Sequence, residues 1–377
     1  ARDHKIKVIG ELELGYLYNN GRVLAVTGTN GKTTVTTLIG RLMETVGKTW
    51  VGGNIGIPFT QFCEKTKPSD NICLEVSSFQ LETISSFHPH IAALTNITPD
   101  HLNRHKTMQK YANTKLKIFK NMAETDFAVI NADSEIVMRK TDKIRPKRIF
   151  FSTKKEVLGC FSQGGNIYFN DGLKKICVAK TKNIKLVGEH NLSNVLCAVA
   201  MFILAGGNPQ NVKAVLQKFY GVEHRIEFVA KKKGVRFYND SKATNPDSTL
   251  VAVNSFSEPI VLLLGGSDKG FSFDELFAKL PDNVYKIIVF GEVKAKLILA
   301  AKKYARSVIE ANSIKEAVKE AIAIAPKNSV VLFSPAAASF DMFSNFEERG
   351  RFFKLTVREK LNENSQTKSK LQEKTGH

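Results

Sequence analysis

The sequence predicts an α/β protein of two successive units, each a parallel sheet covered by helices, with a small β-rich subregion in the first. Three observations carry this reading. Short apolar runs rich in branched residues alternate with helical stripes, as buried parallel strands and their crossover helices require. The stretch "VLAVTGTNGKTTVTTLIGRLM" passes from strand to helix through a glycine-bracketed turn. The alternation then starts afresh after "YGVEHRIEF", which reads as a hinge.

In chain order, residues 1–20 look like the end of a preceding structure, and Val23 to Val26 form the first buried strand. From Thr33 onward Val35, Leu38, Ile39, Leu42 and Met43 recur at three and four, a helix stripe. Gly28 and Gly31 permit the turn between them, and free N–H groups at the helix start point into the loop. Lys32 would neutralise phosphate charge, and the Thr33 hydroxyl is placed to ligate magnesium. The general phosphate-loop pattern has a glycine where this chain has Val26, and a plain turn is the alternative. Gly-Lys-Thr-Thr following a strand and opening a helix favours nucleotide.

Strands follow at "NICLEV", "IAALTNI" and "FAVINA", then shorter β-like pieces at "RIFFST", "NIYFND" and "KKICVAK". "NLSNVLCAVAMFILAG" reads as a buried helix and "NPQNVKAVLQKF" as an amphipathic one. Beyond the hinge, strands at "VRFYND", "PIVLLLGG", "KIIVFG" and "SVVLFS" alternate with helices at 246–254, 273–279, 292–305 and 313–325. A last helix is expected from Asp341 to Lys360, with a polar, disordered tail after it.

Hydrophobic residues make up 43% and charged ones 24%, an ordinary globular composition. No apolar run reaches the ~18 residues of a membrane span. "ARDHKIKVIGELEL" lacks the apolar core of a secretory signal, and the chain opens on alanine, as a fragment would. Five scattered cysteines (Cys63, Cys73, Cys160, Cys177, Cys197) without framework spacing suit a reducing compartment, hence cytoplasm. The net charge of +19 fits a nucleic-acid binder, an enzyme of polyanionic substrates, or a lysine-rich solvated surface. The basic clusters are dispersed and lack interleaved aromatics, which argues against nucleic acid.

With its motifs assembled, the chain resembles the Mur ligase family, ATP-dependent amide-forming enzymes of cell-wall peptide synthesis. Its loop, Gly28-Thr29-Asn30-Gly31-Lys32-Thr33-Thr34, is that family's version, which accounts for Val26. "GGNIG", "LEVSSFQLE", "NITPDHLNRH", "GEHNLSN", "HRIEF", "NDSKATNPDST" and "SPAAASFDMFSNFEERG" point to its D-glutamate-adding branch, and the likeness covers about residues 7–360. The resemblance implies a P-loop-type ATPase domain over 16–221 and a Rossmann-like C-terminal domain over 222–362, with 363–377 as the tail. Residues 1–15 would be the remnant and linker of a UDP-binding domain that precedes "VIGELEL" in the family. The implied enzyme is a cytoplasmic monomer that joins D-glutamate to UDP-N-acetylmuramoyl-L-alanine, serving cell shape and division. A folylpolyglutamate-type ligase, which shares loop and domain plan but should lack "NDSKATN", is the runner-up. Another P-loop ATPase would need an Asp where "NICLEV" supplies Glu75.

By the same resemblance Thr33 and Glu75 hold one magnesium ion, and His101 and Lys115, the latter carbamylated by carbon dioxide, a second. Only a neutral amine attacks carbon dioxide, so Lys115 must be partly buried with a depressed pKa. Gly28 to Thr34 cradle the phosphates, Asn191 and Asn194 read adenine, and Arg225 and Asp240 reach phosphate and ribose from beyond the hinge. Lys242 serves the phosphates or the acyl phosphate. Asn54, Ser77 and Gln80 hold the muramoyl-alanine. Thr244, Lys269, Ser339, the Phe340 backbone and the Phe346 ring receive D-glutamate. Plainer roles stand beside these: a water-facing carboxylate for Glu75, a capping or surface residue for His101 and a solvated amine for Lys115. For Asn191 and Asp240 the plainer role is a helix cap, and for the glycines around Lys269 a simple turn.

Overall fold

A computed structural model describes residues 8–98, 100, 102–186 and 188–374, and side chains in these ranges except those of 102, 103, 189 and 363–374. The chain divides into two compact units after Phe219. The first opens with α1 (Glu11–Leu17), then β1 (Arg22–Thr27), α2 (Lys32–Met43), β2 (Thr49–Gly53), β3 (Asn71–Glu75) and α3 (Ser78–Leu81). It continues through β4 (Ile91–Leu94), α4 (Leu102–His105), α5 (Met108–Leu116), β5 (Phe127–Asn131) and α6 (Glu135–Lys140). The strands β6 (Lys147–Ser152), β7 (Gly159–Gln163), β8 (Asn166–Asn170) and β9 (Lys175–Lys180) precede α7 (Glu189–Leu204) and α8 (Gln210–Lys218).

All nine strands form one sheet, ordered β2-β3-β1-β4-β5-β6-β7-β8-β9. The segment expected as a β-rich subregion therefore extends the main sheet: β6 pairs parallel with β5, and β7 to β9 turn antiparallel on its far edge. Cores lie on both faces. Val35, Leu38, Ile39 and Leu42 of α2 meet Val195, Val199 and Phe202 of α7 on one, which explains why α7 is apolar from Val195 onward. Ile72, Leu74, Ala92 and Leu94 face Phe59, Phe87, Tyr111 and Ile118 on the other.

The segment expected as a linker carries α1 and is pinned down. The fully buried Glu13 carboxylate accepts hydrogen bonds from the N–H groups of Ser85, Ser86 and Phe87 and from the Ser86 hydroxyl. Burial raises the pKa of Glu13, but these donors outweigh it and hold the carboxyl below its usual range.

The second unit begins with an antiparallel pair, β10 (Glu227–Lys232) and β11 (Val235–Asn239), then α9 (Pro246–Val253), β12 (Ile260–Gly265) and α10 (Asp274–Lys279). It ends with β13 (Val284–Phe290), α11 (Lys294–Lys303), β14 (Val308–Glu310), α12 (Ile314–Ile324), β15 (Val330–Phe333) and α13 (Phe346–Lys374). Its sheet order is β10-β11-β15-β12-β13-β14. Insertion of β15 beside β12 makes a point where successive connections leave in opposite directions, the place where open α/β sheets receive ligands. Helix α13 continues to Lys374, so residues 363–374 of the expected tail are helical; Glu, Lys and Gln in that stretch are good helix formers. No described helix is long and apolar enough to cross a membrane. All five cysteines are free, and four are buried.

Candidate active site

The loop after β1 takes a shape only glycine allows. Gly28 has φ 148° and Gly31 φ 83°. A Cβ on Gly28 would lie 1.9 Å from Thr95 Oγ1, and one on Gly31 2.2 Å from Asn194 Oδ1. Gly31 caps α2 without a side-chain acceptor, which leaves first-turn N–H groups for an anion. The turn after β4 braces the loop: Asn96 O accepts from Thr29 N at 3.0 Å, Asn96 Oδ1 from Asn30 N at 2.9 Å, and Thr95 Oγ1 donates to Asn30 O at 2.7 Å. Thr29 Oγ1 accepts from Thr98 N at 3.1 Å and lies 3.2 Å from the Tyr111 hydroxyl. Lys32 Nζ donates to Thr29 O at 2.8 Å, and Thr33 and Thr34 are buried at the helix start.

Glu75 ends β3 beside Val26 of β1 and is 2% exposed, so it does not face water. Its Oε1 accepts from Asn54 Nδ2 at 2.8 Å, and its buried Oε2 has no hydrogen-bond partner among the described residues. A buried bare carboxylate oxygen is costly unless a cation meets it. The donor set of Glu75 and Thr33, an oxygen acid and a hydroxyl, suits a hard divalent ion.

Lys115 on α5 is 2% exposed, not a solvated amine. Its Nζ donates to Gly28 O at 2.7 Å and sits 4.6 Å from the centre of the Tyr111 ring. Burial, helped by the Lys32 charge and opposed by Asp100 and Glu75, lowers its pKa to about 7. A large fraction is thus a neutral amine near neutral pH. His101 lies outside the described residues.

Asn191 and Asn194 are buried on α7, with Asn194 Nδ2 donating to Asn191 Oδ1 at 3.1 Å and Asn194 Oδ1 against Gly31. Asn191 is inside the helix; the cap position belongs to Gly188. Ser77 and Gln80 form a reciprocal capping box on α3, with Ser77 Oγ accepting from Gln80 N at 3.3 Å and Gln80 Oε1 from Ser77 N at 3.0 Å. Sequence reasoning misses Thr95, Asn96 and Tyr111; "TNIT", with polar residues immediately past a strand end, is a signal for the first two, and Tyr111 on α5 has none.

In the second unit Asp240 follows β11 and is buried. Its Oδ2 accepts from Ser334 Oγ at 2.7 Å and its Oδ1 from Ile226 N at 3.2 Å. Burial raises its pKa to about 7, against the pull of Ser334, Ile226, Arg225 and Arg349. It does not cap α9; Asn245 does, accepting from Ser248 N at 2.8 Å. Arg225 is half-buried, and its guanidinium makes no hydrogen bond or ion pair among the described residues.

The remaining candidates lie on the segments after three strand ends: Lys242 and Thr244 after β11, Lys269 after β12, and Ser339, Phe340 and Phe346 after β15. Ser267 N donates to Ala338 O at 2.9 Å, and Phe340 N to Ser267 Oγ at 3.1 Å, which stitches the two loops together. Lys269 Nζ stands 5.7 Å from the Phe340 ring centre, and Lys242 Nζ 5.8 Å from that of Phe346. Ser339 is buried, Thr244 half-buried and Phe340 67% exposed. Beneath them Arg349, fully buried, donates to Ser241 O and Oγ and to Ala337 O and Ala338 O.

Comparison with known proteins matches residues 26–202 to the Mur ligase middle domain and 224–337 to the Mur ligase glutamate ligase domain. A UDP-N-acetylmuramoylalanine–D-glutamate ligase of Caldanaerobacter subterraneus subsp. tengcongensis is 43% identical over 362 residues, 95% of this chain and 80% of that protein. The enzyme of that name from Staphylococcus aureus strain Newman is 42% identical over 349 residues, 92% of this chain and 76% of its own length. Among solved structures, the UDP-N-acetylmuramate–alanine ligase of Thermotoga maritima aligns with a TM-score of 0.63 at 20% identity, covering 90% of this chain and 76% of that one. The MurF ligase of Thermotoga maritima in complex with ADP aligns at 0.62 and 19%, covering 93% and 83%. These last two speak for the fold alone. With both family domains matched in order and relatives this similar over most of its length, the chain belongs to the Mur ligase family.

Proposed function

We propose that this chain is an ATP-dependent carbon–nitrogen ligase that joins D-glutamate to UDP-N-acetylmuramoyl-L-alanine through an acyl phosphate, in cell-wall precursor synthesis. The observation that carries it is the meeting of three features at the Gly28–Thr34 loop: helix N–H groups left for phosphate, the bare Glu75 oxygen, and the buried Lys115 amine. The names of the relatives supply the substrates.

The chemistry follows from what a carboxylate lacks. At neutral pH it is a poor electrophile, so the acceptor's carboxylate takes the terminal phosphoryl group of ATP and ADP leaves. The amine of D-glutamate then attacks the acyl carbon, a tetrahedral intermediate forms, and inorganic phosphate departs with the carbon–oxygen bond. Gly28 to Thr34 bind the ATP phosphates, with Lys32 released from Thr29 O to meet them. Thr33 and Glu75 would hold one magnesium ion, and His101 with a carbamate on Lys115 a second; bound there, the ions spread phosphate charge. The neutral Lys115 amine is the form that adds carbon dioxide; the new carbon–nitrogen bond releases one proton to solvent and leaves an anionic carbamate where the amine stood.

Asn191 and Asn194 serve the adenine, Asp240 the ribose, and Arg225 a phosphate. Asn54, Ser77 and Gln80 take the muramoyl-alanine. The segments after β11, β12 and β15, with Lys242, Thr244, Lys269, Ser339, the Phe340 backbone and Phe346, take the two carboxylates of D-glutamate. The enzyme acts as a cytoplasmic monomer; free cysteines suit a reducing compartment.

The test is phosphate release with ATP, magnesium and the UDP-linked acceptor, with and without D-glutamate. Release that requires both D-glutamate and the acceptor, with product confirmed by mass, supports the reading. Equal release with L-glutamate, or release independent of the acceptor, refutes it.

A further inference from the structure

The turn that carries Arg225 is built in an unfavourable backbone. His224 has φ 65° and Ile226 φ 44°, both left-handed, and for a β-branched residue such as Ile226 this is a genuine outlier. Conformations of this kind persist only where the surroundings over-determine them. Here they do. Glu227 Oε2 accepts from His224 N at 2.9 Å and from Asn239 Nδ2 at 3.0 Å. The same Asn239 amide donates to His224 Nδ1 at 2.9 Å, and His224 O accepts from Lys242 N at 3.0 Å. Ile226 N is taken by Asp240 Oδ1. The other Glu227 oxygen, Oε1, accepts from Lys354 Nζ at 2.9 Å, and the same ammonium reaches Glu223 Oε1 at 2.6 Å.

Glu223, His224 and Glu227 together would suit a divalent cation, but the Lys354 ammonium already supplies the positive charge between the two carboxylates. Lys354 comes from α13, and its side chain is 14% exposed. The pair therefore joins the last helix of the unit to a strained turn, and what that turn displays is a half-buried guanidinium whose charge acts on the buried Asp240 but which makes no hydrogen bond or ion pair among the described residues. A cation with its hydrogen-bond donors uncommitted, held on a costly backbone, is a feature prepared for an anion.

We propose that Glu227 and Lys354 are positioning residues: their ion pair holds the His224–Ile226 turn left-handed and so keeps the Arg225 guanidinium displayed for a nucleotide phosphate. This rests on the reading of Arg225 given under Proposed function. Neither residue touches substrate. Their effect should pass through Arg225 and leave the amino-acid pocket alone.

The experiment is a double-mutant cycle on the full chain, read as separate Michaelis constants for ATP and D-glutamate. Lys354→Met should raise the ATP constant about tenfold and leave that for D-glutamate within about twofold, and Lys354→Arg should restore most of the loss. In an Arg225→Ala background, Lys354→Met should add nothing further. Glu227→Gln, which removes the charge and keeps one acceptor oxygen for His224 N and Asn239 Nδ2, should behave as a milder Lys354→Met. Multiplying effects in the double variant, or equal rises in both constants, would overturn the proposal. So would an unchanged ATP constant in Lys354→Met while Arg225→Ala raises it, and this result leaves the Arg225 reading standing. An unchanged ATP constant in Arg225→Ala itself overturns both.

Discussion

Replacing Lys115 by methionine should abolish ligation and make the first unit more stable. The ammonium is held in a place that disfavours its charge: its pKa falls from the ordinary 10.5 to about 7. That separation is worth about 5 kcal/mol when the lysine is forced to be charged. Methionine fills a similar volume without a charge. It forfeits the hydrogen bond to Gly28 O, about 1 kcal/mol, and the contact with the Tyr111 ring, about 1 kcal/mol more. The net gain is ~2–3 kcal/mol, or roughly 5–10 °C in the melting temperature of a unit this size. The sign of the pH dependence is fixed by linkage. Between about pH 7 and 10.5 the unfolded chain binds the proton that the folded chain has released, so wild-type stability recovers as pH rises. The advantage of Lys115→Met should therefore be largest below pH 7 and shrink toward pH 10.5. Calorimetry in carbon-dioxide-free buffer at pH 6.5 and 9.5 measures it. A variant less stable than wild type at pH 6.5, or an advantage that grows with pH, would refute the reasoning.

Three further outcomes are expected. Lys115→Ala should lose ligation and regain part of it with millimolar acetate or formate, whose carboxylate can occupy the place of the carbamate; verified folding with no rescue at any concentration returns Lys115 to a purely structural role. Lys32→Ala should abolish ATP-dependent turnover with an unchanged melting curve, because glycines and the Thr95–Asn96 brace shape the loop; unchanged ATP hydrolysis would reduce the loop to a turn. Glu13→Gln should cost about 2–4 kcal/mol by leaving buried N–H groups of Ser85 to Phe87 short of acceptors. In wild type the Glu13 contribution should be full above its ordinary pKa and fade as pH falls through the lowered folded value; a urea-denaturation midpoint indifferent to Glu13→Gln would contradict the anchoring of α1.

Local pattern made much of the architecture legible. The strand at Val23–Val26, the glycine turn and the α2 stripe are short-range statements, and periodicity alone carries them. The α9 and α12 helices lie within a residue or so of their expected bounds because Asn245 and Ser313 cap them with their own side chains. What stayed hidden depends on distant partners. The strand β2 is "TWVGG", too glycine-rich to announce itself, and exists because β3 pairs with it. Nor could the sequence join β6 to β5, since register between strands is a tertiary matter. The site divides in the same way. Lys32, Thr33 and Glu75 follow from loop and strand-end logic, whereas the burial of Lys115 against Gly28 is a contact across 87 positions of chain. The strained pair at His224 and Ile226 has no signal of its own, because the residues that compel it are spread from Glu227 to Lys354.

The edges of the two sheets give the positive charge of the chain a further meaning. The outermost strand β9 carries Lys175 and Lys180 at its ends, β10 closes in Lys231 and Lys232, and β14 at the opposite rim is only three residues long. An open edge offers unpaired peptide groups to any strand that meets it, including another copy of itself. Two copies approaching through β9 or β10 would bring like charges into a low-dielectric seam, and at β14 they would find too few bonds to hold. Part of the +19 excess thus lies where it works against strand addition at β9 and β10, while β2, the other edge of the first sheet, carries no lysine.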